Sequence, residues 1–184
     1  MSAGGTIFHY VRSISPNVSD IYISWSEYHQ KITQLAAIVY QSGWQFNQIV
    51  CLAKGGLRVG DILCRLYQQP LAILAASSYG GEDNRVRGKI VFAENLTMIG
   101  SHLGSHVLLV DDLVDSGISL GEGVKLLRNK YGEEIEEIRT AVIWYKASSV
   151  FVPDYYVDYL TDNPWIHQPF EEYEKMSPGE LNLH

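Results

Sequence analysis

An α/β fold is what this sequence predicts: buried strands alternating with amphipathic helices around one sheet. Three stretches carry that prediction. Val107-Leu-Leu-Val110 is an apolar run short enough for a strand covered on both faces, and it ends on Asp111 and Asp112, with Asp115 just beyond. Gln48–Ala53 is a second such strand, running into Lys54-Gly55-Gly56 and a helical pattern over about 57–67. Residues 71–76 form a third, followed by small and polar residues. Open α/β sheets bind ligands at the carboxyl ends of their strands, which is where these acids and glycines fall.

Taken in order, residues 1–22 are polar and aromatic with little periodicity and read as a loosely attached arm. Ser24 and Glu27 have capping-box spacing, so a helix starts there. Tyr28, Ile32, Leu35, Ala36 and Val39 give it an apolar face, and Gly43 is its expected stop. Two glycines after the strand Gln48–Ala53 let the backbone approach a ligand closely, although a plain tight turn uses the same residues. After Ser77-Ser-Tyr79 come Gly80, Gly81 and Gly88, with Arg85, Arg87 and Lys89 on one face of an extended chain. By themselves these describe a solvated basic hairpin.

Residues 90–92 and 96–99 are expected to pair as a hairpin through Ala93-Glu-Asn95. His102 and His106 lie four apart, but Gly104 between them favours a surface loop over a helical metal pair. Ser119 and Glu122 again have capping-box spacing, so Ser119 is the expected N-cap of a helix over about 120–129 that Gly132 ends. Strands at 139–145 and Tyr155–Leu160 follow, and 162–170 is turn-rich and aromatic. With no repeat or linker, residues 1–184 read as one domain: a core over about 23–170, the arm 1–22 and a tail 171–184.

Fourteen basic against twenty-one acidic residues give a net charge of −7, which argues against nucleic acid as a partner. No stretch is long enough to span a bilayer, and the N-terminus lacks the pattern of a signal peptide. The expectation is a cytoplasmic protein with no membrane partner. Cys51 and Cys64 have no metal-ligand spacing and read as reduced thiols.

The acids and the following Ser116-Gly117-Ile118-Ser119 admit three readings. Acids at a strand end before a helix N-terminus suit a phosphorylated sugar, because that terminus offers free N–H groups. Asp-Asp-x-x-Asp also holds magnesium on helices of isoprenoid-type enzymes, but the preceding strand and Gly117 oppose a helix here. An acidic turn with no ligand is the plainest reading. A phosphorylated ligand in such a place needs a cation. One carboxylate about 8 Å from one diphosphate charge costs about 2 kcal/mol at an effective dielectric near 20, and magnesium suits oxygen ligands.

The stretch Leu-Val-Asp-Asp-Leu-Val-Asp-Ser-Gly, residues 109–117, resembles the phosphoribosyl diphosphate (PRPP) signature of type I phosphoribosyltransferases. Three further segments resemble the 6-oxopurine branch, closest in pattern to the bacterial xanthine-guanine enzymes. They are Ala53-Lys-Gly-Gly-Leu57, Ser77-Ser-Tyr79 with Arg85, and Tyr145-Lys146 with Asn163-Pro-Trp-Ile166. Their order agrees from about Ile23 to Phe170.

The resemblance implies the type I phosphoribosyltransferase fold, a central, mostly parallel sheet flanked by helices with a small base-binding hood. The implied activity is transfer of phosphoribose from PRPP to hypoxanthine, guanine or xanthine in purine salvage, releasing diphosphate. It further implies that Lys54, Gly55 and Gly56 bind the diphosphate, with a costly non-proline cis bond between Lys54 and Gly55. Asp111 and Asp112 take the ribose hydroxyls, and Asp112 is the better magnesium ligand. Asp115, Ser116, Gly117, Ile118 and Ser119 cradle the 5′-phosphate, and Asp115 also assists the base. Arg85 and Tyr79 belong to a lid that closes over PRPP. Lys146 reads the purine 6-oxygen, Trp165 stacks on the ring, and the backbone at Ile166 meets the 2-position edge. Relatives are usually homodimers or homotetramers.

Several positions depart from the pattern. Lys54 stands where Arg is usual, Ile118 where Gly or Thr is common, His167 in place of an acid and Phe170 in place of a tryptophan. They leave the preferred 6-oxopurine open. A non-catalytic sensor of PRPP or a nucleotide is the alternative function, weakened by the joint presence of the three acids, Lys54-Gly-Gly, Arg85 and Lys146. An enzyme of this fold acting on a pyrimidine or another acceptor is a third, opposed by Lys146 with Trp165.

Overall fold

The computed structural model describes residues 20–79 and 89–181. In chain order these form β1 (Ile21–Tyr22), α1 (Trp25–Gln41), β2 (Gln48–Ala53), α2 (Gly56–Tyr67), β3 (Leu71–Tyr79) and β4 (Lys89–Phe92). β5 (His106–Val114), α3 (Ile118–Tyr131), β6 (Glu137–Lys146), β7 (Tyr155–Leu160) and β8 (Ile166–His167) follow. Six strands make the main sheet in the order β4-β3-β2-β5-β6-β7, and β1 pairs with β8 in a separate two-stranded sheet. All pairs in the main sheet are parallel except β3–β4, so the mostly parallel expectation holds.

Strand alternation divides the core. Ile49 and Cys51 of β2, Leu108 and Val110 of β5, and Ala141 and Ile143 of β6 face α1 and α2, whose Tyr28, Ile32, Leu35, Val39, Val59 and Leu63 are buried against them. Val50, Leu52, Val107, Leu109 and Val142 face the other way, onto Leu120 and Leu127 of α3 and onto Leu103. The central strands are therefore apolar on both faces, as their unbroken hydrophobic runs require.

The Ser24–Glu27 capping box is present: Ser24 Oγ accepts from the Glu27 N–H at 3.2 Å, and Glu27 accepts from the Ser24 N–H at 2.9 Å. Other sequence expectations need correction. Ser119 is not an N-cap. α3 begins at Ile118, and Gly117 caps it in the left-handed conformation, φ +78°. A Cβ on Gly117 would lie 2.6 Å from Phe151 Cβ and 2.7 Å from the Phe151 nitrogen, so glycine sets the helix start one residue before the serine.

Residues 90–92 and 96–99 do not pair with each other. β4 lies antiparallel on β3, and the chain continues along the same strand until Thr97 bridges Ile73. The edge of β3 offers unpaired backbone groups to both segments, so both bond to it. Ile21 and Tyr22, assigned by sequence to the arm, form β1. The described part of the tail contains two short 3₁₀ turns, Glu171–Glu174 and Pro178–Glu180. Among the described residues no helix is long and apolar enough to cross a membrane.

Candidate active site

From β2 the chain moves to β3 on one side, and β5 then lies on the other side of β2. At such a reversal open α/β sheets place their ligand crevice, here beyond the carboxyl ends of β2 and β5. Two turns border it: Lys54-Gly55-Gly56 after β2, and residues 115–117 after β5.

The first turn and the acids occupy nearly the same space. A Cβ on Gly55 would stand 2.7 Å from Asp112 Cγ and 2.9 Å from Asp111 Oδ1. One on Gly56 would stand 2.5 Å from the Val110 carbonyl oxygen. No residue larger than glycine fits either position without displacing the acids or the backbone of β5. The cis peptide bond of this turn joins Ala53 to Lys54, one position before the Lys54–Gly55 bond expected from the resemblance. Lys54 itself is exposed.

Asp111 and Asp112 belong to β5 itself, longer than its apolar run, and are only 9% and 8% exposed. Asp111 Oδ1 accepts from the Asp112 N–H at 2.9 Å. Asp112 Oδ2 accepts from Gln168 Nε2 at 2.7 Å. Burial, reinforced by the neighbouring charge of Asp112, pushes the Asp111 carboxyl well above the usual carboxylate range. Burial also raises Asp112, against the opposing effect of its bonds from Gln168 and within the pair. Two buried acids side by side can bond hydroxyl groups and, when ionised, attract a cation.

Past β5 the chain turns into α3. The first bond of the helix ladder runs from the Gly121 N–H to the Gly117 carbonyl at 3.0 Å, so the N–H groups of Ile118, Ser119 and Leu120 precede it. Ser116 Oγ accepts from the Ile118 N–H at 3.3 Å. Residues 149–151 brace this turn, with the Val150 N–H donating to the Ser116 carbonyl at 3.0 Å. That brace is invisible in the sequence because it comes from a loop some thirty residues downstream.

Register places the next pair of groups. Val114 of β5 lies opposite Tyr145 of β6, so Asp115, the first residue past β5, comes beside Lys146, the last residue of β6. Lys146 Nζ stands 3.5 Å from Asp115 Oδ1 and 6.0 Å from the centroid of the Trp165 ring. Lys146 is 4% exposed, whereas Trp165 is 44% exposed. The indole is thus an open face rather than a core filler. The Ile21 N–H donates to the Trp165 carbonyl at 2.8 Å, and the Ile23 N–H to the His167 carbonyl at 3.0 Å. Backbone groups alternate along a strand, so the N–H and C=O of Ile166 point away from β1.

His167 stacks on Tyr22 with ring centroids 4.3 Å apart, and its Nε2 lies 3.0 Å from Asp20 Oδ2. Phe170 packs under the Arg58 guanidinium at 4.4 Å and against Tyr28. Burial pushes the Cys51 thiol up to about 12, which makes it inert. Asp111, Asp112, Asp115, Lys146, Trp165 and the two turns therefore converge at one sheet edge. Arg85 lies outside the described residues. Tyr79 is the last residue of β3, and the lid role expected for its side chain also falls outside them. Gln168 carries no motif of its own, and only the alternation Trp-Ile-His-Gln puts it on the inward side with Ile166.

Among the described residues, no group of three or more His, Cys, Asp or Glu side chains could hold a metal ion. One buried carboxylate beside the crevice fits a magnesium ion whose other ligands are oxygens of a substrate or water, the usual habit of that ion.

A family model described as the phosphoribosyl transferase domain matches residues 24–175. The chain is 28% identical over 153 residues to a xanthine-guanine phosphoribosyltransferase of Idiomarina loihiensis, covering 83% of this chain and 87% of that one. It is 27% identical over 154 residues to the same-named protein of Gluconobacter oxydans, covering 81% and 83%. Among solved structures it resembles a purine phosphoribosyltransferase from Pyrococcus horikoshii, with a TM-score of 0.67, 27% identity, and 83% and 93% of the two chains covered. A xanthine-guanine-hypoxanthine phosphoribosyltransferase of Helicobacter pylori gives a TM-score of 0.67 at 25% identity, with 85% and 96% covered.

Proposed function

The chain belongs to the phosphoribosyl transferase domain family, and from that membership we propose that it transfers phosphoribose from PRPP to a 6-oxopurine. The base is hypoxanthine, guanine or xanthine, and the products are the nucleoside monophosphate and diphosphate. One observation carries this reading: a buried Lys146 lies 3.5 Å from Asp115 and 6.0 Å from the ring of an exposed Trp165. An ammonium group has donors only. It favours an oxygen at the purine 6-position and leaves a 6-amino group facing another donor, a mismatch that binding sites reject strongly. The names of the relatives support the same substrate class.

In the proposed reaction a bond forms from a purine ring nitrogen to the anomeric carbon as the bond from that carbon to diphosphate breaks. The bonding electrons leave with diphosphate, and the ring proton must be taken up. Asp115 stands beside Lys146 and is the group to take that proton or hold the N7 edge. Trp165 offers a stacking face, and the outward backbone of Ile166 meets the 2-position edge. Asp111 and Asp112 accept from the ribose hydroxyls. The backbone N–H groups of residues 118–120 and the hydroxyls of Ser116 and Ser119 receive the 5′-phosphate. Lys54, Gly55 and Gly56 border the diphosphate, and the resemblance assigns Arg85 and Tyr79 to the lid over it. Asp112 and substrate oxygens would hold a magnesium ion, which would supply positive charge opposite the leaving diphosphate.

The test is diphosphate release by the purified protein with PRPP and magnesium against hypoxanthine, guanine, xanthine, adenine, uracil and orotate. Release is expected with one or more of the first three and not with the rest. Flat traces for every base would replace the enzyme with a PRPP or nucleotide sensor. Repeating the assay with excess chelator should abolish release.

A further inference from the structure

We infer that Gln168 is a positioning residue that ties the base-binding segment to the acidic pair, so that purine and ribose are gripped by one connected unit. This rests on the phosphoribosyl-transfer reading above. Strand alternation carries it. Along residues 165–168, Trp165 and His167 lie on one side, with rings 6.4 Å apart, while Ile166 and Gln168 are buried on the other. One four-residue segment thus brings an indole to the base pocket and an amide to the acids.

The amide is aimed. Gln168 Nε2 donates to Asp112 Oδ2 at 2.7 Å, joining residues 56 positions apart with both side chains buried. A hydrogen bond to a carboxylate is stronger than one between neutral groups, and more so away from water. It also selects a rotamer. With Oδ2 engaged by Gln168, Asp112 Oδ1 is the oxygen turned towards Gly55 and the turn after β2. That oxygen therefore faces the turn that borders the crevice where PRPP is proposed to lie. The donor reaches Asp112 only while β8 stays in place, and β8 is held by the bonds from β1 to Trp165 and His167. Ligand contacts at Asp112 and at Trp165 thus favour the same arrangement, and by linkage each half strengthens binding at the other.

A double-mutant cycle separates this role from simple support of the hood. Inosine monophosphate, which spans both halves, is titrated by calorimetry into the parent, Gln168→Leu, Asp112→Asn and the double variant. Gln168→Leu should weaken binding about tenfold in the parent, the effect of losing a hydrogen bond to a charged group. In the Asp112→Asn background the same change should cost less than about threefold, because coupled groups are not additive. In steady state, Gln168→Leu should raise KM for both PRPP and base more than it lowers kcat.

An equal loss in both backgrounds overturns the inference, as does no loss in the parent or a parent that binds no inosine monophosphate. If Gln168→Leu does not fold, Gln168→Glu serves instead. Asp112→Asn added to it exchanges donor and acceptor and should restore melting temperature, and the absence of recovery overturns the link. Diphosphate release by the unmodified protein tests the functional reading separately.

Discussion

Asp111 and Asp112 are buried, while Trp165, across the same crevice, is 44% exposed. The acidic side is shaped by backbone: Gly55 and Gly56 lie so close to β5 that a single added carbon collides with Asp112, Asp111 or the Val110 carbonyl. The base side is shaped by side chains, with His167 stacked on Tyr22 and the Trp165 indole open to solvent. Geometry on the acidic side is thus locked by excluded volume, and a substitution there disturbs the fold and the chemistry together. On the base side a substitution changes what the surface attracts and leaves the sheet alone. On the proposed function, such a division sets a sterically fixed sugar-phosphate grip beside a base site whose choice of base can vary.

Gly55→Ala should give the largest effect. The new methyl group has to push the Asp112 carboxylate away from its Gln168 bond. Misplacement on the scale of 1 Å costs about 10²-fold in catalysis, and that is the expected drop in kcat/KM for PRPP in a diphosphate-release assay. A variant as active as the parent would mean that the acids and the turn do not share one space.

A smaller effect is expected at Trp165→Ala. Losing a base-stacking face is worth roughly 1–3 kcal/mol, so KM for the purine should rise about tenfold and KM for PRPP by less, through the linkage between the two halves. Because the indole is half in solvent, the melting temperature should hardly move. A large drop in melting temperature would reclassify the indole as part of the core.

The smallest effect concerns stability and has the opposite sign. Burial and the neighbouring Asp112 hold the Asp111 carboxyl above its ordinary range, so the folded chain binds a proton that the unfolded chain releases near pH 3.9. The stabilisation from that proton is complete below the unfolded value and is lost as pH rises through the raised folded value. An asparagine at position 111 has no proton to lose. In chelator without substrate, Asp111→Asn should therefore be more stable than the parent at pH 7 to 8, with the gap closing towards pH 4. Thermal melts across pH check this. A gap independent of pH would mean that the acid is not strained in the free protein. The same variant should bind PRPP more weakly, marking the acids as kept for the ligand at a cost in stability.

The strands were legible wherever burial on both faces made them continuous apolar runs. Gln48–Ala53, buried along most of its length, falls where the sequence put it, as does the half-buried edge strand Tyr155–Leu160, and the helix face of Tyr28, Ile32, Leu35, Ala36 and Val39 is the buried one. Asp111 and Asp112 marked the end of the apolar run but not the end of β5, because two more residues pair with β6 beyond them. Ser119 misled because serine is a common cap, and the true start was set by a steric demand on Gly117 from Phe151. The placing of residues 90–97 along β3 was equally hidden, since it depends on which edge of a sheet lies open.

Local chemistry in the chain was sufficient to announce the acids, the glycine turn, the lysine and the indole, since each sits at the end of a segment whose pattern depends only on near neighbours. Their assembly was not written there. The order of strands decides that β2 and β5 flank a crevice, the β5–β6 register sets Asp115 beside Lys146, and the β1–β8 pairing turns the Ile166 backbone outward and Gln168 inward onto Asp112. These contacts join residues dozens of positions apart, and what selects them is the packing of two apolar faces rather than the preference of any one segment.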